Sequence, residues 1–282
     1  MGWRTCIRHV LPAAIALLAA PAALGQFKYD VPYVPTPPVV VEEILRLAKV
    51  TRDDFVMDLG SGDGRILIAA ARKFGARGIG VDLDPERIEE SNYNAGVEGV
   101  SDRVSFQQQD LFSFDISRAT VVTMYLLPRV NMKLRERLLH DLRPGTRIVS
   151  HDFDLEDWQP DQKSTVRKNV FLWIVPAHIA GKWRTSIALP AGTRTYELEI
   201  RQKFQEIDGL VRYEKKVAGL WNPALRGDRV NFVIVDDSGA PDTNLYFEGT
   251  VTADAMEGVI LRGVGAGQQQ IPWRAVRISP AN

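Results

Sequence analysis

Residues 56–65 read Val-Met-Asp-Leu-Gly-Ser-Gly-Asp-Gly-Arg, an apolar strand that runs into a turn with three alternating glycines and two carboxylates. Glycines let the backbone take positive φ values and approach a ligand closely, because they carry no Cβ. The helix formers from Ile66 to Phe74 end at Gly75, where a helix C-cap is expected. The stretch predicts a strand, a ligand-binding turn and a helix. The alternative is the same turn without a ligand.

The charge of the glycine turn indicates which ligand it binds. Asp58 and Asp63 would repel a dinucleotide pyrophosphate at the helix N-terminus by roughly a few kcal/mol in a partly buried crevice. S-adenosyl-L-methionine carries an ammonium and a sulfonium group, both of which suit acidic walls. The spacing D-x-G-x-G-x-G also differs from the dinucleotide pattern G-x-G-x-x-G. These features favour an S-adenosyl-L-methionine site over that of an NAD-dependent dehydrogenase.

Two later strands also end in acids. Residues 77–82 form a short apolar strand that ends at Asp82, and an acid at this position of a nucleotide-binding fold accepts hydrogen bonds from ribose hydroxyls. Asp84 is a substitute for it, but the following proline favours a helix N-cap instead. Asp110 ends residues 104–110 and is either an acceptor for the adenine amine or an ordinary turn residue.

Strands and helices alternate from this turn onward, which predicts an α/β fold. The sheet is expected to be Rossmann-like and parallel, with helices on both faces. Residues 119–127 are almost continuously apolar, as in a central strand, and residues 146–153 form the next strand. Residues 169–175 and 183–189 are predicted to complete the sheet with an antiparallel edge.

Several of these segments together resemble one branch of the class I methyltransferases. That branch contains the lysine methyltransferases of the mitochondrial adenine nucleotide translocase and of the ATP-synthase c-subunit, together with bacterial relatives. The resemblance covers about residues 30–175 and is carried by these stretches: Val31-Pro-Tyr-Val-Pro-Thr-Pro37, Asp58 to Arg65, Val81-Asp-Leu-Asp-Pro85, Ala119-Thr-Val-Val-Thr-Met-Tyr-Leu-Leu-Pro128 and Pro144-Gly-Thr-Arg-Ile-Val-Ser-His151.

The resemblance implies a role for eight residues. These are Asp58, Gly60 and Gly62 along the methionine part of S-adenosyl-L-methionine, Asp82 at the ribose, Asp110 at the adenine, Tyr33 and Thr36 in a segment folded over the methionine end, and Tyr125 facing the methyl acceptor. The segment around Tyr33 is otherwise a stiff polyproline-type lead to the first helix. By resemblance the acceptor is a protein lysine, with membrane proteins among the candidates.

Methyl transfer from a sulfonium is an in-line displacement, so catalysis consists mainly of positioning and desolvation. A lysine acceptor must first lose its proton. His151, followed by Asp152, is a candidate base, although a single histidine at a strand end is more often structural. The four histidines show no metal-ligand spacing and the chain has one cysteine, so no metal is expected.

The first 25 residues have the layout of a secretory signal peptide. Arg4 and Arg8 precede an apolar run that ends in Ala-Leu-Gly, a small-residue cleavage pattern. The run is short for a spanning helix, but an uncleaved membrane anchor remains an alternative. The two arginines favour a cytoplasmic N-terminus, which would place the rest of the chain outside the cytoplasm. We therefore expect an exported, periplasmic protein or an outward-facing, membrane-anchored one.

Beyond Pro190 the pattern changes to short stretches of alternating polarity, as in residues 195–204 and 228–235. It predicts a small antiparallel β domain over residues 190–282, after a methyltransferase domain over residues 26–189. Its function is either substrate capture or dimerisation, or it is a structural cap.

The net charge of the chain bears on whether its partner is a nucleic acid. Loss of residues 1–25 removes two arginines from a balance of 35 basic and 35 acidic residues and leaves a net charge of −2. This argues against nucleic-acid binding. The sequence thus predicts an S-adenosyl-L-methionine-dependent methyltransferase. The alternative is an exported, non-catalytic binding protein that has kept the methyltransferase fold.

Overall fold

A computed structural model describes residues 33–190, 192–235 and 243–280. The predicted signal segment lies outside these ranges. The described chain forms two sheets, of seven and nine strands.

The first sheet is the predicted α/β unit, in the strand order β3-β2-β1-β4-β5-β7-β6. Strands β1 to β5 are parallel, and β7 is antiparallel to both of its neighbours. Its strands are β1 (Phe55–Leu59), β2 (Arg77–Asp82), β3 (Val104–Gln108), β4 (Val121–Met124), β5 (Arg147–His151), β6 (Gln162–Val166) and β7 (Lys168–Ile174), and its helices are α1 (Pro38–Leu47), α2 (Arg65–Phe74), α3 (Pro85–Val97) and α4 (Pro128–His140).

Local sequence signals fix the helix ends. Gly75 caps α2 with φ +72°, and its N–H donates to the carbonyl of Ala71. Asp84 is the N-cap of α3, because its carboxylate accepts a hydrogen bond from the Glu86 N–H and Pro85 follows at the first helical position. Apolar side chains of the sheet are covered on both faces, in two separate buried clusters.

The second sheet is antiparallel, in the order β11-β10-β9-β8-β16-β15-β14-β13-β12. Its edge strands β11 and β12 are consecutive in the chain, so the sheet curls into an almost closed barrel around one buried cluster. Its strands are β8 (Gly181–Leu189), β9 (Gly192–Lys203), β10 (Glu206–Tyr213), β11 (Lys216–Gly219), β12 (Trp221–Arg226), β13 (Arg229–Ile234), β14 (Leu245–Thr252), β15 (Ala255–Arg262) and β16 (Gln269–Pro280).

The structure corrects the predicted edge of the first sheet. Residues 183–189 lie in β8, which pairs with β9 and β16 of the barrel. The second antiparallel partner in the α/β sheet is instead β6, which was not predicted from the sequence. The chain therefore changes from one sheet to the other between Ile174 and Gly181, before the predicted boundary at residue 190.

The two sheets are in direct contact. The Ala177 N–H, in the connection between the sheets, donates to the carbonyl of Gly227 at 2.8 Å, and a Cβ on Gly227 would lie 3.0 Å from Cα of Gly145. The Trp158 ring stacks on Phe204 of the barrel with 5.5 Å between centroids. The barrel is thus packed against the α/β unit at both Gly145 and Trp158.

Candidate functional site

A pocket of about 430 Å³ opens at the carboxyl ends of β1, β2 and β4. Strand order reverses between β1 and β4, and ligands of open α/β sheets bind in the crevice beside such a reversal. All eight residues predicted for the site line this pocket: Tyr33, Thr36, Asp58, Gly60, Gly62, Asp82, Asp110 and Tyr125.

The glycine turn forms the floor of the pocket in a conformation that requires glycine. Gly60, Gly62 and Gly64 have φ values of +80°, +52° and +80°. A Cβ on Gly62 would lie 2.6 Å from Cε2 of Tyr33, so the absence of a side chain also lets that ring cover the turn. Between Gly60 and Gly62, Ser61 also lines the pocket, and its hydroxyl is buried against Gly80 of β2 without a hydrogen-bond partner.

Asp58 is the buried acid of the turn, with 2% of its surface exposed. Its Oδ1 accepts a hydrogen bond of 2.6 Å from Thr123 Oγ1, since the two residues are paired across β1 and β4. Burial raises the pKa of Asp58 to about 7, and the nearby carboxylates of Asp82 and Asp63 act in the same direction. A cation beside Asp58 would favour its ionised form.

Asp82 is held at the end of β2 by backbone donors. Its Oδ2 accepts from the Gly62 N–H and its Oδ1 from the Asp84 N–H, each at 3.0 Å. A carboxylate oxygen has a second lone pair, so Asp82 can still accept hydrogen bonds from a ligand's hydroxyls. The same carboxylate therefore fixes the glycine turn and faces the pocket.

Asp110 is a turn residue that also lines the pocket, and its role at the adenine stays a prediction. Its Oδ1 accepts the Phe112 N–H at 2.9 Å, which is ordinary turn chemistry. It also lines the pocket beside Leu111 and Phe112, whose apolar surfaces can cover the face of an aromatic ring.

The segment of residues 33–37 lies across the glycine turn. Arg65 donates to the Thr36 carbonyl at 2.8 Å while pairing with Asp63. The Tyr33 side chain, 45% exposed, hydrogen-bonds Asp63 and lies 4.7 Å from the guanidinium of Arg87. Burial and the charge of Asp63 raise the pKa of Tyr33, so the phenol remains protonated.

Tyr125 lines the pocket beyond the end of β4, and two further rings pack against it. The Tyr125 ring lies 3.9 Å from the His151 ring and stacks on Phe153 at 6.2 Å. His151 is 1% exposed, and its Nδ1 is 3.2 Å from Thr36 Oγ1. Burial lowers the pKa of His151, so its imidazole is neutral at pH 7. His151 is not among the residues that line the pocket, which favours the structural interpretation of His151 over that of a base.

Several residues that complete the site were not predicted from the sequence, namely Ser61, Arg65, Arg87 and Thr123. Arg65 and Ser61 belong to the glycine turn, but only the three-dimensional path of residues 33–37 shows what Arg65 binds. In the ranges that the structure describes, no group of three histidine, cysteine or acidic side chains could hold a metal ion.

The pocket fits S-adenosyl-L-methionine. Its wall combines acidic side chains at the ends of successive strands with a backbone cradle at Gly60 and Gly62 that side chains would fill. Fold and site together define a class I S-adenosyl-L-methionine-dependent methyltransferase.

The comparisons with known proteins give the family. Residues 58–162 match the model of the ANTKMT methyltransferase domain. A protein-lysine N-methyltransferase from Saccharolobus islandicus is 45% identical over 154 residues, which cover 52% of this chain and 96% of that protein. The chain therefore belongs to the family of ANTKMT-type methyltransferases and uses S-adenosyl-L-methionine as its cofactor.

Two further relatives are named for different methyl acceptors. The ATP-synthase c-subunit lysine N-methyltransferase of Homo sapiens is 33% identical over 48% of this chain and 57% of its own length. A crystal structure titled RNA methyltransferase from Salinibacter ruber, in complex with S-adenosyl-L-homocysteine, is 52% identical with a TM-score of 0.51, covering 52% of this chain and 96% of that one. The named relatives agree on methyl transfer and differ in acceptor.

Proposed function

We propose that this enzyme methylates the side-chain amine of lysine residues in a protein acceptor. The observation that carries the proposal is the 45% identity to a protein-lysine N-methyltransferase along 96% of that protein's length. The human relative named for the ATP-synthase c-subunit supports the same acceptor chemistry. None of the relatives named here is a non-catalytic binding protein, so they give no support to that alternative.

The acceptor side of the pocket suits a lysine amine. Tyr125, Leu126 and Val130 line it, and they present an aromatic ring and apolar surface. An amine must be neutral to attack a methyl group, and burial against such surface lowers the pKa of an ammonium. Bound S-adenosyl-L-methionine would supply the activated methyl group, while the chain's own residues orient the amine and exclude water.

The charges of the pocket argue against a nucleic-acid acceptor. Arg65 and Arg87 are the arginines that line it, and each is paired with an acid, Arg65 with Asp63 and Arg87 with Glu90. Binding to a phosphate backbone depends on basic side chains that neutralise phosphates. The RNA methyltransferase named above nevertheless makes RNA the competing acceptor that an experiment should include.

Transfer of a labelled methyl group tests the proposal. Residues 26–282 would be incubated with methyl-labelled S-adenosyl-L-methionine and either total protein or total RNA from the source cells. We expect label in protein, at lysine by mass spectrometry of tryptic peptides, and none with Asp82→Ala. Label that ribonuclease removes and protease does not would contradict the lysine proposal while leaving the methyltransferase assignment intact.

Location is a separate proposal, because it depends on residues 1–25, which the structure does not describe. We infer export or an outward-facing membrane anchor, with a membrane protein among the acceptors. In the part of the chain that the structure describes, no helix is long and apolar enough to cross a membrane. Fractionation of cells that express the full chain, with N-terminal sequencing of the product, tests it. A cytoplasmic protein that retains Met1 would refute it.

A further inference from the structure

We propose that the barrel positions the acceptor side of the pocket, through contact between the β9–β10 turn (Phe204 and Gln205) and the β5–β6 loop (residues 152–161). The inference depends on the proposed function in one respect: it takes the Tyr125 side of the pocket as the place where the acceptor binds. It gives the barrel a role in the reaction although none of the barrel residues that the structure describes lines the pocket.

The β9–β10 turn holds Trp158, the largest side chain of the β5–β6 loop. The Phe204 ring stacks on the Trp158 indole with an interplanar angle of 15°. Gln205 Oε1 accepts the indole N–H at 2.8 Å, and Gln205 Nε2 donates to the carbonyl of Gln159 at 2.7 Å. Trp158 is fully buried. One short turn thus binds both the ring and the backbone of the loop.

Phe204 has the positive φ of a residue in a two-residue hairpin turn, as Glu214 has in the β10–β11 turn. Phe204 has φ +55°, in the left-handed region that glycine and asparagine favour and that costs other residues about 1 kcal/mol or more. The Phe204 ring makes the contacts that are particular to this turn: it stacks on Trp158, and the guanidinium of Arg135 lies 5.5 Å from its centroid.

The β5–β6 loop connects this contact to the pocket in a few residues. The Trp158 N–H donates to the carbonyl of Leu155, which also accepts from Arg135 of α4. Phe153 lies two residues before Leu155. Its carbonyl accepts from Ser150 Oγ at 2.5 Å, and its ring stacks on Tyr125. The loop therefore has one end on the barrel and the other on the ring that lines the acceptor side.

The cofactor side is held by other contacts. Asp82 is bonded to Gly62 and Asp84, and the segment of residues 33–37 is held by Arg65. These contacts all lie within the α/β unit and its N-terminal segment. Loosening the β9–β10 turn should therefore weaken acceptor binding and leave cofactor binding unchanged.

Substitution of the turn residues tests the inference. Phe204→Asn suits the left-handed backbone but removes the ring, and Gln205→Leu keeps the size of the side chain but removes its hydrogen bonds. In both, we expect amide hydrogen exchange in residues 152–161 to be about fivefold faster or more, the value of one neutral hydrogen bond. The Trp158 indole N–H resonance should shift. The dissociation constant of S-adenosyl-L-methionine should stay within about twofold.

A second turn of the barrel provides the matched control. Glu214 also has a left-handed backbone, with φ +52°, in the β10–β11 turn, where it pairs with Arg194. Glu214→Asn should leave exchange in residues 152–161 unchanged. Unchanged exchange there in Phe204→Asn and Gln205→Leu as well would overturn the inference.

Methyl transfer to the protein fraction labelled by the wild-type enzyme gives the functional readout. Phe204→Asn should raise the acceptor KM about fivefold or more with kcat changed less, since positioning rather than chemistry is lost. If amide hydrogen exchange in residues 152–161 is faster but methyl transfer is unchanged, the barrel holds the loop without positioning the acceptor, and the inference about the acceptor is refuted. If the wild-type enzyme labels no protein, the proposed function fails, while hydrogen exchange still decides whether the barrel holds the loop.

Discussion

Asp82 and Asp84 stand two residues apart at the same strand end, but their carboxylates have different partners. Asp82 accepts the N–H groups of Gly62 and Asp84, whereas Asp84 caps α3 through the N–H of Glu86. The sequence favoured Asp82 for the ribose and a helix N-cap for Asp84, although both acids follow the same strand. In the structure the two carboxylates accept hydrogen bonds from different backbone N–H groups, which distinguishes their roles.

This difference predicts the effect of substituting each acid. Asp82→Ala removes the support of Gly62 and the proposed ribose acceptor, so we expect S-adenosyl-L-methionine to bind about 100-fold more weakly, or not measurably. Asp84→Asn keeps a capping oxygen and should change affinity by about threefold at most. Titration calorimetry measures both. Equal losses in the two variants would contradict the assignment.

The elevated pKa of Asp58 predicts a pH-dependent affinity. With a pKa of about 7, the carboxyl is mostly protonated at pH 6 and ionised at pH 8. A cationic ligand binds the ionised form more strongly, so affinity for S-adenosyl-L-methionine should rise about tenfold from pH 6 to pH 8 and level off above. Asp58→Asn should lose this dependence at the site. Calorimetry at several pH values checks it.

The same pKa predicts the opposite trend for the stability of the cofactor-free protein. The carboxyl ionises near pH 3.8 when unfolded and near 7 when folded. Ionisation therefore favours the unfolded chain as pH rises through this window, by on the order of 4 kcal/mol for a shift of that size. Asp58→Asn should remove this loss, and urea unfolding at pH 4 and pH 7 measures the difference. If the free energy of unfolding changes with pH equally in the wild-type protein and in Asp58→Asn, the raised pKa of Asp58 is contradicted.

At the scale of elements, the close approach of the N-terminal segment to the glycine turn predicts a coupled pair of substitutions. Gly62→Ala places a Cβ 2.6 Å from the Tyr33 ring at a residue with φ +52°. We expect it to displace the segment and weaken cofactor binding about tenfold or more, since strain and overpacking each cost about 1 kcal/mol or more.

The double variant isolates the clash from the backbone strain. In Gly62→Ala with Tyr33→Ala the ring is gone, so the second substitution should restore part of the affinity that Gly62→Ala loses. Tyr33→Ala alone gives the value of the ring itself. Additive losses over the cycle would show that the ring and the turn act independently, contrary to their contact in the structure.

The sequence predicted well those strands whose polarity pattern matches their burial in the sheet. β1 and β4 are apolar at nearly every position because helices cover both faces, and the glycine turn and the α2 cap require particular residues. β6 was missed because Gln162–Val166 is a polar edge strand with no fully buried residue. No local pattern distinguishes such a segment from a loop.

β8 shows the opposite error, where a strand was recognised and placed in the wrong sheet. Trp183, Thr185 and Ile187 are buried in alternation with exposed neighbours, the pattern of a sheet with one face in solvent. β7 instead has four consecutive buried residues. The site residues of the glycine turn and of the strand ends have local sequence signals, whereas Tyr33 and Thr36 were predicted by resemblance alone. The contact of Trp158 with Phe204 joins distant segments and left no local signal.

At the scale of the whole molecule, Gly227 is a point at which the barrel approaches the α/β unit closely by backbone. A Cβ on Gly227 would lie 3.0 Å from Cα of Gly145 and 3.4 Å from a methyl group of Ile174, and its φ is +61°. Its carbonyl also accepts the Ala177 N–H. A side chain at this position would therefore separate the two sheets or strain both.

Gly227→Ala accordingly tests whether the two sheets stabilise each other. Gly99→Ala is the matched control, because Gly99 has a similar φ of +67° with no atom within 4 Å of its Cβ position. We expect Gly99→Ala to cost about 1 kcal/mol from backbone strain alone, and Gly227→Ala about 2–4 kcal/mol, since overpacking adds to the strain. Calorimetric unfolding of both variants gives the difference. If the sheets form one cooperative unit, Gly227→Ala lowers a single transition, whereas two resolved transitions, with only one displaced, would show that the barrel and the α/β unit unfold independently.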